Sequence, residues 1–196
     1  MWSKIFKASK HGLVRGVAIY SVTWPVSSLI QQTLEPSGNK TIDLQRAAKF
    51  SMYGGLFVAP TLYAWMRFAS YVWPSMTITS HITKAVVEQF SYGPFAMASF
   101  FFFMTLLDGG TIEDAKMEVK EKFFSTWKVK RLIIQFKVKI IAVMVWPVLQ
   151  TINYCVIPPR NRLIFVSFAG LVWTTFLAYI KYEKNRHIPI ADKKTD

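Results

Sequence analysis

The sequence predicts an all-α fold, a polytopic transmembrane helical bundle of four spans with a fifth segment that either crosses the membrane or re-enters it. Hydrophobic residues make up 52% of the 196-residue chain, and its 24 Lys and Arg and 11 Asp and Glu avoid five uncharged runs. Each run has about the 20 residues with which a helix crosses a hydrocarbon core. The runs are residues 16–34, 50–66, 89–107, 140–159 and 163–180.

The net charge of +13 would indicate nucleic-acid binding in a soluble protein. In a membrane protein, Lys and Arg collect in the loops that face anionic lipid, which explains the charge without nucleic acid. A lipid bilayer is therefore the expected partner, and direct nucleic-acid binding is not expected. The number of Lys and Arg residues on each side of the membrane depends on whether 140–159 crosses it. The positive-inside rule therefore does not determine the orientation of the protein in the membrane.

The first element is a basic N-terminal segment, residues 1–15, with four Lys or Arg ahead of the first acid, Glu35. Its apolar residues fall near one face of a helix, which is typical of an uncleaved amphipathic segment that leads into a span. We therefore divide the chain into this segment, a transmembrane bundle over residues 16–182 and a charged tail over residues 183–196.

The second run follows a turn rich in Pro, Ser, Gly and Asn, after which Asp43 is placed to cap a helix. The run contains Gly55, next to a second glycine, and Pro60. These residues predict close packing against another helix and a kink. Arg67 follows the run and is expected to extend toward the membrane interface.

The third run, 89–107, is rich in phenylalanine near its end, as expected for a helix in lipid. Residues 108–122 then alternate acids and bases, starting with Asp108 and two glycines, which predicts a water-facing amphipathic helix. The last run, 163–180, is predicted to be a plain span.

Residues 128–143 form a compositionally biased stretch, in which twelve of sixteen residues are Lys, Arg, Ile or Val. Such a stretch is typical of an interfacial helix. A translated segment that does not belong to the mature protein would have the same character. Both explanations stay open, and we treat 128–143 as an insertion in the bundle.

Enzyme motifs are missing from the sequence. His11, His81 and His187 lie in separate predicted connectors without the spacing of metal ligands. No nucleophile elbow, phosphate-binding loop or zinc-protease motif is present. The single cysteine, Cys155, excludes an intramolecular disulfide. We therefore expect no enzymatic activity, no cofactor and no metal site.

Four polar residues inside or beside the uncharged runs are the candidate functional residues: Glu88, Gln89, Gln150 and Asn153. A charge in the middle of a span costs roughly 2.5–3.5 kcal/mol on insertion scales, so such side chains usually face protein or water. Together they either line a hydrophilic path or lock helices by hydrogen bonds. Their candidate counter-ions are Arg67, Arg160 and Arg162.

The segment from Trp146 and Pro147 through Gln150 and Asn153 resembles the C-terminal signature of the Mpv-seventeen and peroxisomal membrane protein two family of small organelle membrane proteins. Upstream residues match the family pattern in order, so the resemblance covers nearly the whole chain. The further matching residues are Gln32, Asp43, Arg46, Gly55, Pro60, Trp65, Pro94, Trp127, Pro158, Arg162 and Trp173.

Two departures from the family pattern matter. Ser27 and Ser28 stand where the family often has Gly-Asp, so an acid inside the first run is missing. Trp127 lies further from Trp146 than is usual in the family, by about the length of 128–143. This spacing favours the interpretation of 128–143 as an insertion.

The resemblance implies an integral protein of the mitochondrial inner membrane, with the peroxisomal membrane as the alternative; the basic N-terminus favours mitochondria. It also implies a channel-like or membrane-homeostasis role, linked to small-solute permeability, reactive oxygen handling and mitochondrial DNA maintenance. A second hypothesis is a non-conducting scaffold or assembly factor that binds a partner complex through basic loops, chiefly residues 116–139. A homo-oligomer is a further expectation in either case.

Overall fold

The computed structural model describes residues 2–34, 41–125 and 145–186. Every regular element in these ranges is helical, so the predicted all-α class is confirmed. The proposed insertion at 128–143, Trp127 and residues 187–196 of the tail lie outside the described residues. The helices are α1 Trp2–Leu34, α2 Leu44–Tyr53, α3 Ala59–Val72, α4 Ile78–Phe90, α5 Tyr92–Leu107, α6 Ile112–Ser125, α7 145–155 and α8 Arg162–Arg186.

The helices α2 and α3 form one continuous helical segment across a π-helical turn, Gly54–Val58. Asp43 caps α2 as predicted, because its carboxylate accepts a hydrogen bond from the backbone N–H of Arg46 at 2.8 Å. Pro60 lies in the first turn of α3, directly after the π-helical turn. Proline has no N–H to donate to the preceding turn, so the interruption predicted at Pro60 takes the form of this π-helical turn.

The segment α2–α3 runs antiparallel to α1. At one end, the side-chain amide of Gln32 brackets the backbone of Asp43: it accepts from the N–H at 2.7 Å and donates to the carbonyl oxygen at 3.1 Å. In the middle, Gly55 lies so close to Ser21 of α1 that a Cβ would overlap the Ser21 hydroxyl. The close helix contact predicted from the glycines is confirmed.

The last helix, α8, runs parallel to α1, so the first and last helices of the fold are neighbours. Two hydroxyl–hydroxyl hydrogen bonds join them, Thr23 with Ser167 at 2.5 Å and Ser27 with Thr174 at 2.6 Å. We call these four residues the hydroxyl seam. Hydroxyl pairs of this kind hold helices together in lipid, where the hydrophobic effect does not drive helix association.

The helices α4 and α5 form a second long segment, interrupted at Ser91. This segment runs antiparallel to α2–α3. The hydroxyl groups of Tyr53 and Ser99 share a hydrogen bond at 2.8 Å, and Lys49 forms an ion pair with Asp108 at 2.7 Å where α5 ends. The end of α1, the start of α2 and the end of α5 therefore lie at the same end of the bundle.

The helix α6 begins at Ile112, later than the predicted 108–122, because a turn precedes it in which Gly109 has a φ of +89°. Thr111 and Asp114 cap α6, since the carboxylate of Asp114 accepts from the backbone N–H and the hydroxyl of Thr111 at 2.8 and 2.7 Å. These hydrogen bonds hold the pKa of Asp114 below its ordinary value. Most charged side chains of α6 are exposed, as predicted for a water-facing helix.

Two helical stretches of the described chain, Gly12–Leu34 and Ile78–Leu107, are long and apolar enough to cross a membrane by length and composition. They contain the first and third uncharged runs. The runs 50–66 and 163–180 are also helical, so each of the four predicted spans is a helix. The four-span arrangement itself stays a prediction.

The remaining run, 140–159, is described from residue 145, and its helix α7 covers 145–155. The end of α7 lies beside the start of α8, because Arg162 donates to the carbonyl oxygen of Tyr154. Both lie at the bundle end opposite to the end of α5, so the chain passes from one end of the bundle to the other before α8 begins, which favours the crossing alternative over a re-entrant segment.

The bundle buries polar side chains beside its apolar core and exposes large apolar ones. Glu88, Gln150 and Asn153 are 2%, 1% and 0% exposed, whereas Leu56 and Val172 are each 71% exposed. Soluble proteins keep charged groups at the surface. The reverse arrangement is expected where lipid surrounds the helices.

Candidate functional site

The candidate site is built on one face of α4. Ser80, His81, Lys84 and Glu88 are spaced at one turn of helix and are each less than a tenth exposed. On the other face, Ile82 is 47% exposed. The helix thus turns its polar side inward and its apolar side outward. The placement of His11 and His81 in connectors, predicted from the sequence, is wrong, because His11 lies inside α1 and His81 lies inside α4.

Glu88 is the centre of a buried hydrogen-bond network. Its Oε1 accepts a hydrogen bond from the side-chain amide of Gln150. Its Oε2 accepts from the indole N–H of Trp65 at 3.1 Å and from the hydroxyl of Tyr154 at 3.2 Å. One carboxyl group therefore joins α3, α4 and α7, and all three of its donors are uncharged.

The helix α7 supplies the other side of the network. Gln150, Asn153 and Tyr154 share a face of α7 and are each at most 2% exposed. The side-chain N–H of Asn153 donates to Oε1 of Gln150 at 2.9 Å, and Oδ1 of Asn153 has no partner among the described residues. Three of the four predicted polar residues, including Glu88, therefore come together in space.

Gln89, the fourth predicted residue, faces a different space. It is half-buried and lines a cleft of about 260 Å³ with Val145, Trp146 and Trp173. The cleft lies between α4, α7 and α8. Two of the residues that line it, Trp146 and Trp173, belong to the family motif, so the motif extends from the buried network to this cleft.

Two cations lie against the ring of Tyr154. The ammonium of Lys84 is 5.5 Å from the ring centroid, and Cζ of Arg162 is 5.0 Å from it. Arg162 also donates from Nη2 to the carbonyl oxygen of Tyr154 at 3.1 Å and from Nε to that of Ile157 at 3.2 Å. Arg162 thereby binds the free carbonyl groups at the end of α7.

The three predicted counter-ions do not pair with Glu88 in the structure. Arg162 binds backbone carbonyl groups, Arg67 is exposed and lies 3.4 Å from the hydroxyl of Tyr63, and Arg160 is exposed. Each of them lies near one end of the bundle, whereas Glu88 lies about 15 Å along α4 from its first residue. In the described ranges, no three His, Cys, Asp or Glu side chains come together as a group that could hold a metal ion.

Pro147 lies within the described part of α7. Two other prolines of the motif lie at helix starts: Pro94 is in the first turn of α5, and Pro158 directly precedes the short 3-10 turn Pro159–Asn161. Proline is tolerated at these positions because the backbone N–H groups of a first turn have no partner within the helix.

Sequence reasoning missed Lys84, Tyr154 and the hydroxyl seam. Lys84 could have been found, since it precedes Glu88 by four residues and so shares its helix face. The role of Tyr154 depends on the packing of α7 against α4, which no local pattern encodes. The hydroxyl seam could not be predicted for the same reason, because serine and threonine inside an apolar run do not indicate which helix they contact.

Comparison with known proteins places this chain among small organelle membrane proteins. The model of the Mpv17 / PMP22 family matches residues 105–178. The Mpv17-like protein of Xenopus laevis is 32% identical over 88% of this chain and 78% of its own length. The mitochondrial inner membrane protein Mpv17 of Caenorhabditis elegans is 26% identical over 78% of this chain and 77% of its own length. PXMP2/4 family protein 2 of Dictyostelium discoideum is 25% identical over 78% of this chain and 73% of its own length. No solved structure matches the chain.

Proposed function

The chain belongs to the Mpv17 / PMP22 family, and on that premise we propose that it forms a channel-like bundle of four long spans and a fifth crossing segment, through which small solutes pass. The four long spans are α1, α2–α3, α4–α5 and α8, and α7 belongs to the fifth segment. The location is the mitochondrial inner membrane, as in the name of the Caenorhabditis elegans relative. The peroxisomal membrane is the alternative, which the PXMP2/4 relative favours.

The observation that carries this proposal is the buried polar face of α4. An ionisable side chain is costly inside a membrane and typically marks the route of a solute or ion. In this chain Lys84 and Glu88 face inward, opposite Gln150, and Gln89 lines the neighbouring cleft. The outward-facing residues of α4, such as Ile82 and Phe90, are apolar, so its polar side chains are offered to a solute on the inner face of the helix.

Solute flux into vesicles tests the proposal. We expect the purified protein to make vesicles permeable to small solutes, and we expect Gln150→Leu with Asn153→Leu to lower the flux about tenfold, since about 1.4 kcal/mol on a barrier is a factor of ten in rate. Gln89→Leu alters the cleft without touching the buried network and is expected to lower the flux as well. Thr151→Val, on the same helix, is the matched control. Vesicles that stay tight with wild-type protein contradict the proposal.

A second candidate function is a non-conducting scaffold or assembly factor. The hydrogen bonds of the Glu88 network, which are made between helices and not left free for a solute, favour it. Both oxygens of Glu88 are bonded to neighbouring helices, and Gln150 and Asn153 are almost fully buried, as expected of residues that lock helices together. In this function a partner complex binds the basic loops. A homo-oligomer is compatible with both functions, and neither requires enzymatic activity.

Partner capture separates the two functions. A scaffold should lose its crosslinked partners when Lys116 and Lys120, two basic residues of α6, are changed to Glu, while wild-type vesicles stay tight. A channel should conduct with both the wild-type and the charge-reversed protein. Flux through pure wild-type protein contradicts the scaffold as a complete description.

A further inference from the structure

Lys84 is a buried lysine that meets no acid within salt-bridge distance in the described part of the chain. It is 3% exposed, and its charge lies over the ring of Tyr154, 5.5 Å from the centroid. An aromatic ring attracts a cation but supplies no net negative charge. Burying an ammonium without a counter-charge costs free energy, so this lysine either is neutral or has a bound anion beside it.

Arg162 is a second buried cation on the same ring. It is 8% exposed, and the carbonyl groups of Tyr154 and Ile157 hold its guanidinium in place without neutralising it. Its third contact, with the hydroxyl of Ser70, is long at 3.5 Å. A guanidinium has more N–H groups than these bonds use, so Arg162 can still donate to another acceptor.

The acid on the same face of α4 does not balance these two charges. Glu88 lies one turn after Lys84, yet both of its oxygens are already bonded to uncharged donors from Gln150, Tyr154 and Trp65. One carboxylate against two cations leaves an excess of positive charge inside the bundle.

A third group on this face, His81, has one ring nitrogen without a partner within the described ranges. His81 lies one turn before Lys84, is 5% exposed, and has an Nδ1 atom without a hydrogen-bond partner among the residues described. A buried ring nitrogen of this kind normally has a partner. The excess charge and the unpartnered Nδ1 of His81 therefore lie on the same side of α4, near the start of α8.

We propose that Lys84, Arg162 and His81 form a binding site for a phosphoryl group, which supplies the missing negative charge beside Tyr154. A phosphoryl group suits this set because several oxygens can accept from an ammonium, a guanidinium and an imidazole at once. We place the entry at the end of the bundle where the turn with Arg160 is exposed, because Arg162 lies next to this turn. The phosphoryl group belongs either to a free phosphate or to the headgroup of an anionic lipid.

Thermal unfolding of the purified full-length protein in detergent tests the site. Inorganic phosphate is titrated at constant ionic strength, and a ligand that binds the folded state raises the unfolding temperature. We expect Lys84→Met to weaken phosphate binding at least about tenfold, as for the loss of one charge-assisted hydrogen bond. Lys84→Arg should rescue most of the affinity. The matched control is Lys116→Met, which removes an exposed lysine of α6.

A second arm identifies the source of the phosphoryl group. Detergent micelles doped with phosphatidic acid are compared with micelles doped with phosphatidylcholine, with no free phosphate present. Stabilisation by inorganic phosphate assigns the site to a free phosphate. Stabilisation that needs phosphatidic acid, and that is lost in Lys84→Met, assigns it to a lipid headgroup.

Two results would overturn the proposal: no stabilisation of the wild-type protein in either arm, as expected if Lys84 is neutral, or the same response from Lys84→Met and Lys116→Met. If Lys84→Met does not fold, His81→Leu replaces it, with the same expected loss of affinity. The site goes beyond the proposed permeability, because binding at equilibrium does not require conduction. Tight vesicles with intact binding therefore reject the channel alone, and flux without binding rejects the site alone.

Discussion

Glu88 joins three helices through one carboxyl group. A carboxylate accepts several hydrogen bonds, so it can bind Gln150, Tyr154 and Trp65 at the same time, which a hydroxyl group could not do. In a buried site the loss of one of these hydrogen bonds removes its own stabilisation and also leaves a polar atom without a partner, which adds a desolvation cost. Glu88 therefore connects α4 to α7 and α3 through three separate hydrogen bonds.

Gln150→Leu tests this arrangement. The substitution keeps the approximate volume but leaves Oε1 of Glu88 and the side-chain N–H of Asn153 without their partners. We expect a loss of about 1–3 kcal/mol in the free energy of unfolding, the desolvation cost of unsatisfied buried groups. Unfolding in detergent, followed by circular dichroism, measures the change.

Thr151→Val is the matched control for Gln150→Leu, since the hydroxyl of Thr151 bonds within α7, to the carbonyl oxygen of Pro147. We expect it to change stability by no more than about 0.5 kcal/mol, as for most substitutions away from a buried network. Equal effects of the two variants would show that the network contributes nothing beyond local helix stability.

At the scale of elements, the contact between α1 and α2–α3 depends on the absence of side chains. A Cβ on Gly54 would overlap the ring of Trp24, and one on Gly55 would overlap the hydroxyl of Ser21. The π-helical turn that begins at Gly54 brings both glycines toward α1. Helices in lipid associate by such close backbone approach.

Gly54→Ala is expected to lower the free energy of unfolding by about 1–3 kcal/mol, because the added methyl group pushes against the rigid ring of Trp24. Gly170→Ala is the matched control: a Cβ there has no atom within 4 Å, so alanine should be neutral or stabilising by up to about 1 kcal/mol through its helix propensity. Thermal unfolding of both variants measures the difference. A neutral Gly54→Ala would mean that α1 and α2–α3 can separate without cost.

The features that could be predicted from the sequence are those encoded locally. The uncharged runs predicted the helices of the four proposed spans, and the position of Asp43 before an apolar run predicted the cap of α2. The network of Glu88 could be named in part because its members interrupt apolar runs. Its pairing could not be predicted, since Gln150 lies 62 positions from Glu88 and only the packing of α7 on α4 brings them together.

At the scale of the whole molecule, polar contacts show which helix ends lie together at each of the two ends of the bundle. At one end, Lys49 pairs with Asp108 at 2.7 Å. At the other, Arg162 reaches Ser70, so the start of α8 meets the end of α3. In the proposed arrangement, in which the long helical segments span the membrane, these two ends lie on opposite sides of it.

Thiol labelling measures this sidedness. In a Cys155→Ser background, Ser75→Cys marks the connection between α3 and α4, and Lys116→Cys marks α6. We expect a membrane-impermeant maleimide to label one of them in sealed vesicles and the other only after permeabilisation. The natural Cys155, which is exposed at the end of α7, should react from the same side as Ser75→Cys. Labelling of both introduced cysteines from one side would contradict the proposed topology.

The hydroxyl seam also sets an order of events during synthesis. Thr23 and Ser167 are 144 positions apart, so α1 is complete roughly 10 s before its partner on α8 has been translated, at the usual pace of a ribosome. Throughout that interval the hydroxyl groups of α1 lack the neighbours that they have in the finished protein. The unfinished chain is therefore most open to aggregation and to quality-control proteases before its last helix is made. A premature stop codon anywhere ahead of α8 would make that vulnerable state permanent.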